Sequence, residues 1–165
     1  MYKTVVFDLD GTLLNTLTDL ADAGNRLCRK YGWPTHERQA YRYFVGNGIP
    51  KLVERLAPAD QRTPAVLEAA LADFKRDYGQ HLRDTTAPYP GIPEMLAKLK
   101  ANGVQLAVFS NKADALAKEV VKDYFGTQYF TIVRGQMTGV APKPAAEGTN
   151  ALLQALHADP ASTLY

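Results

Sequence analysis

The chain has 165 residues, 46% hydrophobic and 22% charged, ordinary proportions for a folded protein that buries its own core. Lys plus Arg number 19 against 17 for Asp plus Glu, and the net charge of +2 is not gathered into the basic patch a nucleic-acid binder would show. One cysteine excludes a disulfide framework, no apolar run approaches the ~18 residues of a membrane span, and Asp8 comes too early for a signal peptide. The expected location is the cytoplasm, with neither nucleic acid nor membrane as a partner.

Thr4-Val5-Val6-Phe7 reads as a buried strand of a parallel sheet, ending at Asp8. Leu17, Leu20, Ala21, Gly24, Leu27, Cys28 and Tyr31 then recur at helical spacing, with Thr16 and Asp19 at the spacing of a capping box. Gly32 and Pro34 end that helix. Thr35 can cap a second, shorter helix carrying Ala40, Phe44 and Val45. Pro50 opens a third through Leu52, Val53 and Leu56, and Thr63-Pro64 a fourth lined by Leu67, Ala70, Leu71, Phe74 and Tyr78.

Residues 84–91 are rich in turn formers and read as a linker. Beyond it, helices over 92–102, 113–124 and 145–157 alternate with strands at Leu106–Phe109, Phe130–Val133 and, from Ser162, a strand that begins at the end of the chain. Alternation of this kind implies right-handed crossovers and a parallel sheet. The first strand has no partner of its own, so residues 16–85 read as a four-helix bundle inserted into a three-layer, Rossmann-like α/β core of residues 1–15 and 86–165. There is no internal repeat and no low-complexity tract.

Ligands bind open parallel sheets at the carboxyl ends of the strands. One such end carries Asp8-Leu9-Asp10-Gly11-Thr12, the next Ser110-Asn111-Lys112, and the loop after the third strand Pro142-Lys143-Pro144. Carboxylates at i and i+2 on a strand tip can perturb each other's proton affinity, dividing a nucleophile from an acid. A carboxylate nucleophile can attack phosphorus, and Mg²⁺ would suit the site because it takes few carboxylates plus water and phosphate oxygens. Ser110 and nearby backbone N–H groups could hold a phosphate, with Lys143 as a fixed cation. The plainer alternative is an Asp-Gly turn that leaves a strand and caps a helix; it would be the better reading of a single aspartate and is the lesser one for two in this context.

Phe7-Asp8-Leu9-Asp10-Gly11-Thr12-Leu13 resembles the first motif of the haloacid-dehalogenase-like hydrolases, in the phosphatase form with two aspartates. Ser110-Asn111-Lys112 and Lys143 look like the second and third motifs, and the helical insertion sits where members carry a cap. Phe44-Val45-Gly46-Asn47-Gly48 with Leu52–Leu56, and Tyr89-Pro90-Gly91, are similar to phosphoglycolate phosphatases. The resemblance implies Asp8 as nucleophile and metal ligand. It implies Asp10 as acid and then base, its carbonyl also on Mg²⁺, with Ser110, the Asn111 backbone and Lys143 on the phosphoryl group. The substrate implied is a small phosphorylated metabolite, 2-phosphoglycolate first, hydrolysed through an aspartyl-phosphate.

The family's fourth motif, an acidic pair after the next strand that completes the metal contacts, has no counterpart up to Tyr165. About two strand–helix units, on the order of 50 residues, would carry it. The strand bearing Asp8 is accordingly expected at an exposed sheet edge, and the 165-residue chain alone is expected to be weakly active or inactive. The alternatives are a phosphomutase or a nucleotide or pyrophosphate phosphatase of the same fold, or an inactive binding or regulatory protein. Hinges are expected near residues 14–16 and 84–89, closing the cap over the strand ends. The oligomeric state has no sequence signal.

Lys51 follows the Gly46-Asn47-Gly48 loop and could meet a substrate carboxylate, though a solvated lysine is the plainer expectation. That loop is no dinucleotide fingerprint, since no strand precedes it. Cys28 reads as a buried, inert thiol; His36, His81 and His157 are given no role, and Trp33 and the tyrosines read as packing.

Overall fold

The structure is a computed structural model and describes residues 2–165. In chain order the elements are β1 (Thr4–Phe7), β2 (Leu14–Asn15), α1 (Leu17–Tyr31), α2 (Tyr41–Phe44), α3 (Ile49–Leu56), α4 (Pro64–Gln80) and β3 (Ala87–Pro88). Then follow α5 (Ile92–Ala101), β4 (Gln105–Ala113), α6 (Asp114–Phe125), β5 (Ile132–Gln136), α7 (Ala146–Ala155) and β6 (Thr163–Leu164). Two compact units result. One takes the chain up to Asn15 together with Pro88–Tyr165; the other is Thr16–Ala87.

The first unit is built on a parallel sheet ordered β5-β4-β1-β6, with β2 and β3 as a separate pair. Val6, Ala107 and Phe109 face Leu152 and Leu156 of α7 and its exit, while the alternate residues Val5, Leu106 and Val108 are buried too. The sheet is therefore covered on both faces, which is why its strands read as unbroken apolar runs rather than as alternating ones. Gly148 lets α7 come down on β4: a Cβ there would lie 2.5 Å from the Phe109 ring.

The sheet corrects three expectations. The strand bearing Asp8 is not an edge: β1 lies between β4 and β6, whose Thr163 and Leu164 pair with Thr4 and Val5. Even two residues of β6 suffice, since parallel pairing needs only the register that Lys3 N–H to Ser162 O at 2.8 Å already sets. β4 continues past Phe109 through Ser110-Asn111-Lys112 to Ala113, with a break in register between Phe109 and Ala113. β5 starts later than expected, because Phe130 packs edge-on to Phe7 and Phe125 instead of entering the ladder.

The second unit is helical. α1, α3 and α4 form where the apolar periodicity and the Thr63-Pro64 start place them, and Thr63 Oγ1 accepts from Val66 N–H as an N-cap should. The expected second helix is only a 3₁₀ turn, Arg38–Ala40, leading into the single turn of α2. A segment of about seven residues cannot offset helix nucleation by itself, and here Arg55 holds it by donating to the carbonyls of Tyr43 and Phe44.

Asp19 overturns the capping-box expectation. Thr16 makes no side-chain cap, and the buried Asp19 carboxylate turns away from it to close the unit at its other end. It accepts from the N–H and hydroxyl of Thr85 at 2.9 and 2.5 Å, and from those of Thr86 at 2.9 and 2.7 Å. A buried carboxylate is tolerated only with such a donor set. Asp19→Ala is accordingly expected to lower unfolding stability by roughly 2–4 kcal/mol. Urea titration followed by the fluorescence of Trp33, the one tryptophan and a buried residue of the same unit, reads this directly. An unchanged midpoint would count against the carboxylate as the closure.

Candidate functional site

The carboxyl end of β1 turns sharply. Leu9, Leu13 and Leu14 are wholly buried, and the Leu9 carbonyl collects the N–H groups of Thr12, Leu13 and Leu14 at 3.0–3.2 Å. Gly11, at φ +81°, closes the turn by donating to Leu14 O at 2.8 Å. With Leu9 pulled inward, Asp8 and Asp10 flank it as half-exposed carboxylates.

Each aspartate meets its own cation. Asp8 Oδ1 accepts from Leu9 N–H at 2.7 Å and lies 3.0 Å from Lys143 Nζ. Asp10 Oδ1 lies 3.2 Å from Lys112 Nζ, an ammonium on a side chain 3% exposed. Lys143 also donates to Phe109 O at 2.8 Å and to the Tyr165 hydroxyl at 2.6 Å, with its ammonium 5.5 and 5.3 Å from the two ring centres. Two like charges on one strand tip are thus neutralised separately, from the end of β4 and from the loop after β5.

Ser110 is buried, and its Oγ accepts from Lys112 N–H at 3.1 Å. The Asn111 side chain brackets Lys143, accepting from its N–H at 2.8 Å and donating to its carbonyl at 3.1 Å. All five residues singled out in the sequence, Asp8, Asp10, Ser110, Asn111 and Lys143, therefore belong to one end of the sheet in one unit.

Two residues that sequence reasoning passed over complete the arrangement. Lys112 is the third residue of the Ser110-Asn111-Lys112 motif with no role implied for it, and a lysine is ordinarily a surface residue. Asp114 anchors the irregular end of β4, accepting from Gly135 N–H at 2.9 Å and from Lys118 at 2.7 Å. Burial works to raise its carboxyl pKa, but the bonds from Lys118 and Gly135 win and hold it below the usual carboxylate range. Gly135 has no substitute here, because a Cβ would sit 2.4 Å from Lys112 O. Its position beside a polar strand end was the available signal.

Hard oxygen donors at one strand tip suit a cation such as Mg²⁺, which binds one or two carboxylates and keeps water for the rest. Among the described residues no group of three or more His, Cys, Asp and Glu forms a closed metal cage. Asp8 and Asp10 fit the open kind of site.

Outside this end, Lys51 forms an exposed ion pair with Glu54, 2.8 Å to each carboxylate oxygen, as a solvated helix face would. Cys28 is wholly buried, and desolvation pushes its thiol up to about 11, so it is no nucleophile near neutral pH. His36 is structural: its backbone N–H and carbonyl pair with the Asn25 amide, and its ring lies edge-on to Tyr41 and Phe44. Trp33 packs inside and donates to Gln61 at 2.7 Å. No described helix is long and apolar enough to cross a membrane.

Lys112→Met keeps the buried stem and deletes the ammonium from Asp10. The expected loss of unfolding stability is about 1–3 kcal/mol, the worth of a charge-assisted bond to a partly exposed acid. Thermal or urea unfolding measures it; a variant as stable as its parent would show the pair contributes nothing to folding.

The chain is matched over residues 5–165 by the family model described as haloacid dehalogenase-like hydrolase. A phosphoglycolate phosphatase of Thiobacillus denitrificans is 33% identical over 145 residues, which are 86% of this chain and 64% of that protein. One of Neisseria meningitidis is 34% identical over 146 residues, 87% of this chain and 62% of that protein. The chain thus spans less than two thirds of the length of these curated relatives. Among solved structures, that of a candidate phosphoglycolate phosphatase from Lactobacillus delbrueckii subsp. bulgaricus agrees with a TM-score of 0.90 at 27% identity, over 98% of this chain and 76% of that one.

Proposed function

Because the chain belongs to the haloacid dehalogenase-like hydrolases, we propose that its sheet end hydrolyses a small phosphomonoester, 2-phosphoglycolate being the first candidate. The observation that carries this reading is the separate pairing of the two strand-tip carboxylates, Asp8 with Lys143 and Asp10 with Lys112. It gives two acids of one sequence motif different electrostatic surroundings, the condition for different roles. The names of the curated relatives supply the substrate.

In this reading Asp8 attacks. Both of its contacts fall on Oδ1, which leaves Oδ2 for phosphorus. As the Oδ2–P bond forms, the P–O bond to the alcohol breaks, and Asp10 gives its proton to the departing oxygen. Asp10, now a carboxylate, takes a proton from water as that water attacks the aspartyl-phosphate. Inorganic phosphate leaves and Asp8 is restored. Ser110 Oγ, the Asn111 N–H and the Lys143 ammonium hold the phosphoryl oxygens, where charge grows in each transition state. The Asp8 carboxylate and the Asp10 carbonyl would hold Mg²⁺, which when bound offsets the negative charge of the phosphate beside the attacking carboxylate.

A phosphate-release panel on the full-length protein, with and without Mg²⁺, tests the proposal. Turnover should need Mg²⁺ and favour phosphoglycolate over nucleotides, pyrophosphate and sugar phosphates. Asp8→Asn should reduce it by at least ~10³-fold, since the nucleophile is gone. Persistence of activity in that variant would remove Asp8 from its role, and a preference for another phosphate class would replace the substrate. Lys51→Ala is expected to leave the order of preference as it is, because Lys51 is already committed to Glu54.

A further inference from the structure

Lys143 lies in a tight turn closed by one backbone bond, Ala145 N–H to Pro142 O at 3.0 Å. Its neighbours Pro142 and Pro144 have no N–H, so Lys143 is the single backbone donor of the three. That donor, and the Lys143 carbonyl with it, go to one side chain: Asn111 Oδ1 accepts at 2.8 Å and Asn111 Nδ2 donates at 3.1 Å. The amide thus pairs with Lys143 as a strand residue would, 32 positions away in sequence. Asn111 itself is fixed at the irregular end of β4, where the register breaks between Phe109 and Ala113.

We infer that the Asn111 side chain is a positioning residue for Lys143, setting where the ammonium stands over Asp8. This rests on the phosphatase reading and adds to it, since that reading uses only the Asn111 backbone. Two facts make positioning the better account than contact with substrate. The amide oxygen and an amide hydrogen are already spent on Lys143, so reaching a phosphate would release the lysine. The ammonium's other holders, Phe109 O and the Tyr165 hydroxyl, fix the tip of the side chain, while the Asn111 amide holds the Lys143 N–H and carbonyl from which it springs. A shift of about 1 Å at that root is enough to cost ~10²-fold in rate.

A double-mutant cycle on the full-length protein tests the inference. Asn111→Ala keeps the backbone N–H and should lower kcat/KM at least ~10-fold. In a Lys143→Ala background the same change should cost less than about twofold, because nothing is left to position. Equal losses in both backgrounds would overturn the inference and make Asn111 a substrate contact or a general support. A second measurement does not depend on activity. Amide exchange at Lys143 should quicken at least ~10-fold in Asn111→Ala, with Val108 in β4 unchanged. Unaltered exchange at Lys143 would overturn the bracket by itself. Asn111→Ser, polar but too short to span both bonds, takes the place of the alanine variant if that one does not fold. A parent enzyme without phosphatase activity would reject the proposed reaction, and the exchange measurement would still decide on Asn111.

Discussion

Two carboxylates held side by side on one strand tip repel each other, and the first unit is organised around answering that repulsion. Asp8 and Asp10 come from a single turn, which the bonds that gather on Leu9 O hold together. Cations must be brought to them. They arrive from separate places in the chain, Lys112 from the end of β4 and Lys143 from the loop after β5, and each serves one acid. This requires β4 to lie next to β1 and the loop to fold back over β4, which is what the order β5-β4-β1-β6 provides.

The end of β4 carries the heaviest constraint. It must place the Ser110 hydroxyl, the Asn111 amide and the Lys112 ammonium in three directions within three residues. A regular strand would send alternate side chains to opposite faces and could not do so. The break in register between Phe109 and Ala113 makes the three directions available, and bulges near sites serve this end in general. Gly135 and Asp114 are its support: the glycine leaves room for Lys112 O, and the aspartate ties α6 back to β5 through Gly135 N–H. Since the fold of Asp114 keeps it ionised below its ordinary range, that tie contributes stability above the usual carboxylate pKa and loses it as acid titrates the folded group.

The chain's α/β class and the strand end that carries Asp8 and Asp10 were legible because their signals are local. Thr4–Phe7 followed by Asp8-Leu9-Asp10-Gly11 is strand, turn and chemistry in eight residues, and Leu152 with Leu156 announces a helix face. What escaped was set by partners far away in sequence. β4 was expected to stop at Phe109 because polar residues end an apolar run, yet its ladder continues on hydrogen bonds to β5. Asp19 sits where a capping box would put it, but Thr85 and Thr86, 66 and 67 residues on, give its two oxygens four donors. The interior place of β1 depends on a two-residue strand too short to show periodicity.

Lys112 and Lys143 look alike in sequence, and their surroundings separate them. Lys112 is enclosed and lies 3.2 Å from Asp10 Oδ1. Lys143 keeps some exposure and stands among several acceptors, Asp8, Phe109 O and the Tyr165 hydroxyl. An ammonium with several partners can exchange one for a phosphoryl oxygen without being left bare. In the proposed reaction that exchange would free Asp8 at the moment a phosphate arrives. A single lysine serving both acids could not do this, because releasing one carboxylate would unbalance the other.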